Sequence, residues 1–140
     1  MLRQRRQQQE KEEDEIVRND ITVLSIYDKK KMKRNPVNNT FNLIGRAFTV
    51  MILYTMMNSK NIRFNRLLES IDGIGPKTFS KRLREMEQNG LIQRKIYHER
   101  PIRIEYSLTE KGMATKPILQ EMAAFSIKYC AKDIFKNEKS

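Results

Sequence analysis

The spacing of apolar residues along the chain changes twice, and these changes predict the order of its secondary structure. Between residues 36 and 89, apolar residues recur at helical spacing in segments separated by Gly, Asn and Pro. Between Ile92 and Leu108 they alternate with polar residues, which predicts two strands joined by a polar tip. Helical spacing then returns after Thr109, a suitable N-cap. We therefore predict a mainly α fold, with four helices, a small β-hairpin and a last helix.

Several of these helices have predictable ends and faces. The first should begin after Asn35, with Pro36 at its first position, and end at Gly45. Its short apolar face consists of Val37, Phe41 and Ile44. Residues 47–57 are apolar nearly all round, which predicts a central buried helix. Pro117 indicates a kink or a late start in the last helix. The apolar stripe of that helix is predicted to be Ile118, Met122, Phe125 and Tyr129.

The fourth predicted helix, about residues 76–89, has an apolar and a basic side. Its apolar side consists of Phe79, Leu83 and Met86, and Gly90 is a natural left-handed C-cap. The remaining side carries Lys77, Ser80, Lys81, Arg84 and Gln88. A short amphipathic helix with a glycine-containing turn precedes it. This order is typical of a helix-turn-helix, whose second helix enters the major groove of DNA.

The predicted hairpin, about residues 92–108, lies directly after this basic helix. Its tip contains Arg100 and Arg103. Residues 73–104 hold eight Lys or Arg against three Asp or Glu, a local balance of +5. Such a hairpin can act as a wing on flanking phosphates or in the minor groove while the helix contacts bases. The alternative interpretation of both basic features is an ordinary solvated surface.

Composition narrows the classes of function. The chain has 140 residues, enough for one domain, and a formal net charge of +11, which favours a polyanionic partner, either nucleic acid or an anionic membrane surface. Cys130 and His98 are its only Cys and His, so an internal disulfide and the usual Cys/His zinc sites are excluded. No catalytic constellation can be assembled. We therefore expect no enzymatic activity, metal or cofactor. Since no signal peptide or membrane span is evident, we also expect a cytoplasmic location with no membrane partner.

The chain divides by composition into three parts. Residues 1–34 form a charged N-terminal extension, predicted to be partly helical or disordered. Within it, residues 16–28 weakly favour a helix although several are β-branched, and the Lys29–Arg34 cluster could add sequence-independent affinity for DNA. Residues 35–130 form the predicted DNA-binding domain, and residues 131–140 a basic C-terminal tail.

Three stretches resemble the HxlR-type winged helix-turn-helix regulators, bacterial and archaeal relatives of the MarR group. They are NPVNNTFNLIGRAFTVMILYTMM, RFNRLLESIDGIGPKTFSKRLREMEQNGLIQRKIY and PIRIEYSLTEKG, and the resemblance extends over about residues 35–129. It implies a homodimer built from N- and C-terminal helices, which controls transcription by binding double-stranded DNA. Carried over by position, the groove-facing residues are Lys77, Thr78, Ser80, Lys81 and Arg84, and the wing residues are Arg100 and Arg103. Phe64 is expected to pack rather than to touch DNA.

The chain departs from the family pattern at two places. Asn35 stands where many members have a cysteine before the proline, so the redox or electrophile chemistry of that cysteine is absent here. The family's Gly-Gly-Lys-Trp is here Gly45-Arg46-Ala47-Phe48, and Arg46 is the candidate to replace the charge of the missing lysine. An unknown small-molecule effector at the dimer seam is a further possibility.

The sequence is also compatible with two other functions of the domain and with two roles for Cys130. A winged helix can also serve as a protein–protein interaction module in a transcription assembly, with its basic face on an acidic partner. RNA binding is a third option, but the glycine-aromatic motifs that stack single-stranded bases are missing. Cys130 is interpreted as a packing residue, with a thiol sensor as the alternative.

Overall fold

The computed structural model describes residues 1–18 and 33–136, and their contacts divide the chain into two compact units, residues 1–42 and 43–140. The described helices, in chain order, are α1 Leu2–Arg18, α2 Pro36–Ile44, α3 Thr49–Met57, α4 Phe64–Glu69, α5 Pro76–Gln88, α6 Glu110–Met113, α7 Lys116–Tyr129 and α8 Ala131–Ile134. The described strands are β1 Ile62–Arg63, β2 Ile92–Tyr97 and β3 Arg103–Leu108.

The first unit contains α1 and most of α2. Helix α1 is built largely from charged residues and glutamine, and its side chains up to Lys11 are exposed. Most of the segment predicted weakly as a helix, and most of the Lys29–Arg34 cluster, lie outside the described residues. Helix α2 begins as predicted, because the Asn35 side-chain oxygen accepts hydrogen bonds from the backbone N–H groups of Val37, at 2.9 Å, and Asn38, at 3.3 Å.

The core of the second unit lies between α3, α4, α5 and one face of the sheet. Its fully buried side chains include Ile52, Leu53, Met56, Leu67, Phe79, Leu83, Met86 and Leu91. The predicted apolar side of α5 is therefore confirmed. The prediction of a central buried helix at residues 47–57 is confirmed for one side of α3 and wrong for the other, where Met51 is 52% and Tyr54 60% exposed. Among the described residues, helix α3 is covered on one side only.

Three antiparallel strands form the sheet, in the order β1-β3-β2. The predicted hairpin of β2 and β3 is present, with Ile92 opposite Leu108 and Ile96 opposite Ile104. Strand β1 was not predicted, because its two residues are too few to show an alternating pattern; Ile62 lies opposite Tyr106. Ile92 and Tyr106 face the core, whereas Gln93 and Ser107 hydrogen bond to each other on the outer face.

The last predicted helix is divided into α6 and α7. Thr109 caps α6, and its side-chain oxygen accepts from the Gly112 N–H at 3.1 Å. Helix α7 starts late, as Pro117 indicated, and packs on α3 through the buried Leu119. The predicted apolar stripe is exposed, at 39% for Ile118, 48% for Met122, 61% for Phe125 and 67% for Tyr129. Within the described part of this chain nothing covers it.

The described residues contain no single helix that is long and apolar enough to cross a membrane. The bent pair of α2 and α3 passes that test only when the two helices are taken together, by length and composition.

Candidate nucleic-acid interface

Helix α5 presents a polar, cationic face on the side opposite its buried apolar residues. Lys77, Thr78, Lys81 and Arg84 are exposed, and Ser80 is half-buried at the edge of this face. The helix begins at Pro76 after an extended Gly75, and the chain leaves it at Gly90, whose φ of +72° suits glycine. These two ends fix the length of the exposed face.

Helix α4 supports α5 from within the core. The Phe64 ring lies 5.0 Å from the Phe79 ring, centroid to centroid, in a tilted arrangement, and 6.5 Å from the ring of Tyr106. Phe64 is therefore a packing residue, as expected from the sequence. Through these rings α5 is seated on both α4 and the sheet.

The chain beyond the wing fastens the end of α5. The Thr109 hydroxyl donates to the carbonyl of Gly90, and the Thr109 N–H donates to the carbonyl of Leu91 at 3.1 Å. The Lys111 ammonium donates to the carbonyl of Asn89 at 2.8 Å. The C-terminal end of α5 is thus tied to the end of β3, so the helix and the hairpin are held in a defined relation.

Arg46, in the turn between α2 and α3, is held on one flank of α5. Its guanidinium lies 3.4 Å from one carboxylate oxygen of Glu85, while Arg82 lies 3.1 Å from the other. Arg82 also donates from Nε to the carbonyl of Ala47 at 2.9 Å, and its side chain is only 14% exposed. Arg46 remains 58% exposed, so it is anchored at its head and open to solvent.

A second arginine lies on the other flank of α5. Arg94 of β2 is 3.8 Å from a carboxylate oxygen of Glu87 and stands opposite Tyr106 in the sheet. Burial raises the pKa of Tyr106, while the nearby positive charge of Arg94 opposes this rise and the negative charge of Glu87 adds to it. The phenol is therefore kept neutral over the ordinary range of pH.

The two wing arginines, which were predicted to act together, differ in their exposure and in their contacts. Arg100 is exposed at the tip. Arg103 lies over the Tyr97 ring at 4.1 Å and within 3.6 Å of both Glu99 and Glu105. Its Nε is buried and makes no hydrogen bond within the described residues. Arg103 therefore makes its contacts within the hairpin, on its outer face.

The predicted site residues therefore fall into three groups. Lys77, Thr78, Ser80, Lys81 and Arg84 share one face of α5, Arg46 lies on its flank, and the wing arginines differ in exposure. Lys95, which is exposed and 4.9 Å from the Tyr97 ring, was not among the predicted site residues. Strand alternation places Lys95 on the same face of the hairpin as Arg103, and this was the signal that could have identified it. Among the described residues, no cluster of three or more His, Cys, Asp or Glu could hold a metal ion.

Comparison with known proteins identifies a consistent set of relatives. A model of the HxlR-like helix-turn-helix family matches residues 43–134. An HTH-type transcriptional regulator of Halalkalibacterium halodurans, BH0655, is 37% identical over 99 residues, which are 71% of this chain and 88% of that protein. The HTH-type transcriptional regulator YodB of Bacillus subtilis is 34% identical over 94 residues, 67% of this chain and 83% of YodB.

Solved structures agree with the sequence relatives. The reduced form of YodB superposes with a TM-score of 0.63 at 33% identity, covering 71% of this chain and 96% of YodB. A quinone-bound form of YodB superposes with a TM-score of 0.59 at 31% identity, over 66% of this chain and 96% of that one. A structure from Porphyromonas gingivalis W83, named as a MarR-family regulator, gives 0.64 at 32% identity, over 71% of this chain and 96% of that one.

Proposed function

This chain belongs to the HxlR-like helix-turn-helix family of transcriptional regulators, and we propose that it acts as a homodimer that binds a specific sequence of double-stranded DNA. The resemblance and the winged helix-turn-helix fold predicted from the sequence are both confirmed. Beyond family membership, we propose DNA binding, the homodimer and the contact residues.

The cationic face of α5 carries the proposal. Four exposed polar or basic side chains, Lys77, Thr78, Lys81 and Arg84, lie opposite three buried apolar ones. A helix that is seated in the core by one side and basic on the other suits insertion into a major groove. Arg84 can read guanine with two hydrogen bonds, whereas Lys77 and Lys81 suit phosphates or guanine. Ser80 contributes at the edge of the groove.

The hairpin of β2 and β3 is proposed as the wing. Arg100 and Arg103 are its assigned DNA contacts, on flanking phosphates or in the minor groove. Arg100 is the better placed of the two, because it is exposed and Arg103 is already paired with two carboxylates. Arg46 is proposed as a flanking phosphate contact. The proposed DNA-binding domain covers residues 35–130, between the extension 1–34 and the tail 131–140.

The dimer is proposed to use the exposed stripe of α7, with the N-terminal helices contributing. Four large apolar side chains lie on that stripe and are open within the described part of this chain. A patch of this kind is typical of a protein–protein contact. Two copies related by a two-fold axis would then read two half-sites of a pseudo-palindrome.

A small-molecule effector also forms part of the proposal, by analogy with the quinone-bound relative. One candidate location is a pocket of about 450 Å³ between residues 57–61, the base of the hairpin and Met113. Cys130, half-buried between α7 and α8, is the free thiol that an electrophilic effector could reach. A quinone titration that neither shifts the melting temperature nor changes DNA affinity would exclude quinones as that effector.

The proposed function is tested by selecting duplexes from a random pool with the purified full chain. We expect the selected duplex to bind far more tightly than a scrambled one, and the double variant Lys81→Ala, Arg84→Ala to lose this preference. Lys60→Ala with Lys116→Ala removes the same charge from exposed positions outside the proposed interface and is the matched control. Equal affinity for selected and scrambled duplexes would contradict sequence-specific binding and favour the protein-interaction alternative.

A further inference from the structure

Helix α5 carries two acidic residues, Glu85 and Glu87, within the helix proposed to enter the DNA groove. Carboxylates close to phosphates normally weaken DNA binding by like-charge repulsion. Both residues are only partly exposed, at 28% for the Glu85 side chain and 39% for the Glu87 side chain. Their partners indicate why they are tolerated in this position.

Glu85 joins two arginines that come from different parts of the chain. One carboxylate oxygen contacts Arg82 at 3.1 Å and the other contacts Arg46 at 3.4 Å. Arg82 is a rigid support, because its Nε also donates to the Ala47 carbonyl and its side chain is largely buried. The Glu85 carboxylate is therefore held on one side, and it holds Arg46 on the other.

The turn that carries Arg46 is itself constrained. Phe48 has a φ of +71°, which is unusual for a residue other than glycine, and its carbonyl starts α3 by accepting from the Ile52 N–H at 2.9 Å. The Arg46 carbonyl accepts from the Thr49 N–H at 3.1 Å. The backbone of Arg46 is thus fixed, while its side chain is more than half exposed and would otherwise be free to move.

On helical spacing, Glu85 lies next to Lys81 and Thr78 on α5. A guanidinium held at Glu85 therefore stands beside the exposed cationic face, where the phosphates flanking a groove would lie. Arginine has five N–H donors, so contact with one carboxylate oxygen leaves others for a phosphate. Holding the side chain before DNA binds reduces the conformational entropy that is lost on contact.

We propose that Glu85 is a positioning residue for DNA binding, which holds Arg46 beside α5 so that Arg46 contacts a phosphate flanking the groove. The proposal rests on the proposed function, since it concerns the same duplex. It gives Glu85 a favourable role in spite of its negative charge. Simple electrostatics makes the opposite prediction, namely that neutralising Glu85 strengthens binding.

The test measures affinity for the selected duplex, and its salt dependence, with Glu85→Gln, Arg46→Ala and the double variant. We expect Glu85→Gln to raise the Kd by about three- to tenfold and to lower the salt slope by roughly one phosphate contact. Arg46→Ala should do the same, and the double variant should be little worse than either single one. Glu87→Gln is the matched control, since it removes the same charge from the same helix, and it should leave the Kd unchanged or lower it.

Tighter binding by Glu85→Gln, or fully additive effects of the two substitutions, would overturn the proposal. Melting temperatures of all variants show whether a loss of affinity comes from unfolding, and Glu85→Asp, which keeps the charge with a shorter reach, supplies a second comparison. Failure of the wild-type chain to bind any duplex would contradict the proposed function itself. If the wild-type chain binds the duplex and this binding depends on Lys81 and Arg84, tighter binding by Glu85→Gln would contradict only the role of Glu85.

Discussion

A side chain at Gly112 would collide with the backbone of Leu91. A Cβ built on Gly112 would lie 2.1 Å from the Leu91 carbonyl oxygen and 3.1 Å from its carbonyl carbon. That oxygen also accepts a hydrogen bond from the Thr109 N–H, so it cannot move away freely. The close approach brings the start of α6 against the turn that follows α5, and it depends on the absence of a side chain at residue 112.

We expect Gly112→Ala to destabilise the chain by about 2 kcal/mol or more, because the backbone must shift to admit a methyl group. Urea unfolding measures the change in the free energy of unfolding. Gly75→Ala is the matched control, since a Cβ there meets nothing within 4 Å and the φ of −83° suits alanine. The control should cost less than about 1 kcal/mol. Equal stability of Gly112→Ala and wild type would contradict the close approach.

The two wing arginines should respond differently to substitution. Arg100→Ala removes an exposed charge, so we expect the salt slope of DNA binding to fall by about 1 with no change in the melting temperature. Arg103→Lys keeps the charge but loses the flat guanidinium that stacks on Tyr97, so its salt slope should stay as in wild type.

Hydrogen exchange in residues 92–108 supplies the second measurement for the wing. Arg103→Lys should speed exchange there, because the contacts to Glu99 and Glu105 help to hold the tip. Arg100→Ala should leave exchange unchanged. A fall in the salt slope for Arg103→Lys comparable to that for Arg100→Ala would show that DNA binding needs the guanidinium of Arg103 and not only its charge.

Much of this arrangement follows from sequence pattern, for identifiable reasons. The apolar side of α5 was predictable because Pro76 and Gly90 mark its ends and the intervening apolar residues keep helical spacing. The hairpin was predictable because strict alternation over the six residues of β3 matches the period of a strand and not that of a helix. These signals are local, and each is read within a single element.

Contacts between distant residues were not predictable in this way. The contact of Arg82 with Ala47 joins residues 35 positions apart, and no periodicity encodes it. Arg103 lies over Tyr97 because the strand register places the two residues opposite each other, and the length of the tip sets that register. Alternation alone placed Arg103 on the outer face but did not identify its partners. Likewise, an apolar helix such as α3 does not reveal in its sequence whether its second face is covered by the same chain.

Tyr106 should make the stability of the fold depend on alkaline pH. Burial raises the pKa of its phenol above the usual value near 10. The unfolded chain therefore releases this proton first as the pH rises, so the contribution of Tyr106 is complete below pH 10 and is lost as the pH rises through the higher folded pKa. Tyr106→Phe has no such proton to lose.

We therefore expect the difference in unfolding free energy between wild type and Tyr106→Phe to shift against wild type as the pH is raised from about 8 to above 10. Urea unfolding at a series of pH values measures it. Tyr54→Phe, at a position 60% exposed, controls for the loss of a phenol at the surface. A difference between wild type and Tyr106→Phe that stays constant across this range would contradict the buried, neutral phenol.

The exposed stripe of α7 leads to a prediction about assembly. Phe125 and Tyr129 lie on this stripe, with their ring centroids 5.4 Å apart, and Phe125 is 61% exposed. If a second copy covers the stripe, Phe125→Glu buries an unpaired carboxylate at the contact and should convert a dimer of 16.7 kDa chains to monomers. Because Phe125 lies outside the core that the described residues form, the variant should remain folded.

Ile127→Glu is the matched control for this experiment. Ile127 is 54% exposed and lies roughly on the opposite side of α7 from Phe125, so the same charge there should leave the dimer intact. Sedimentation equilibrium measures the mass of each variant, and circular dichroism checks its fold. The monomeric variant should also lose tight binding to a duplex with two half-sites, because one recognition helix makes about half of the contacts. A Phe125→Glu chain with the mass of wild type, or an Ile127→Glu chain that dissociates, would place the subunit contact elsewhere.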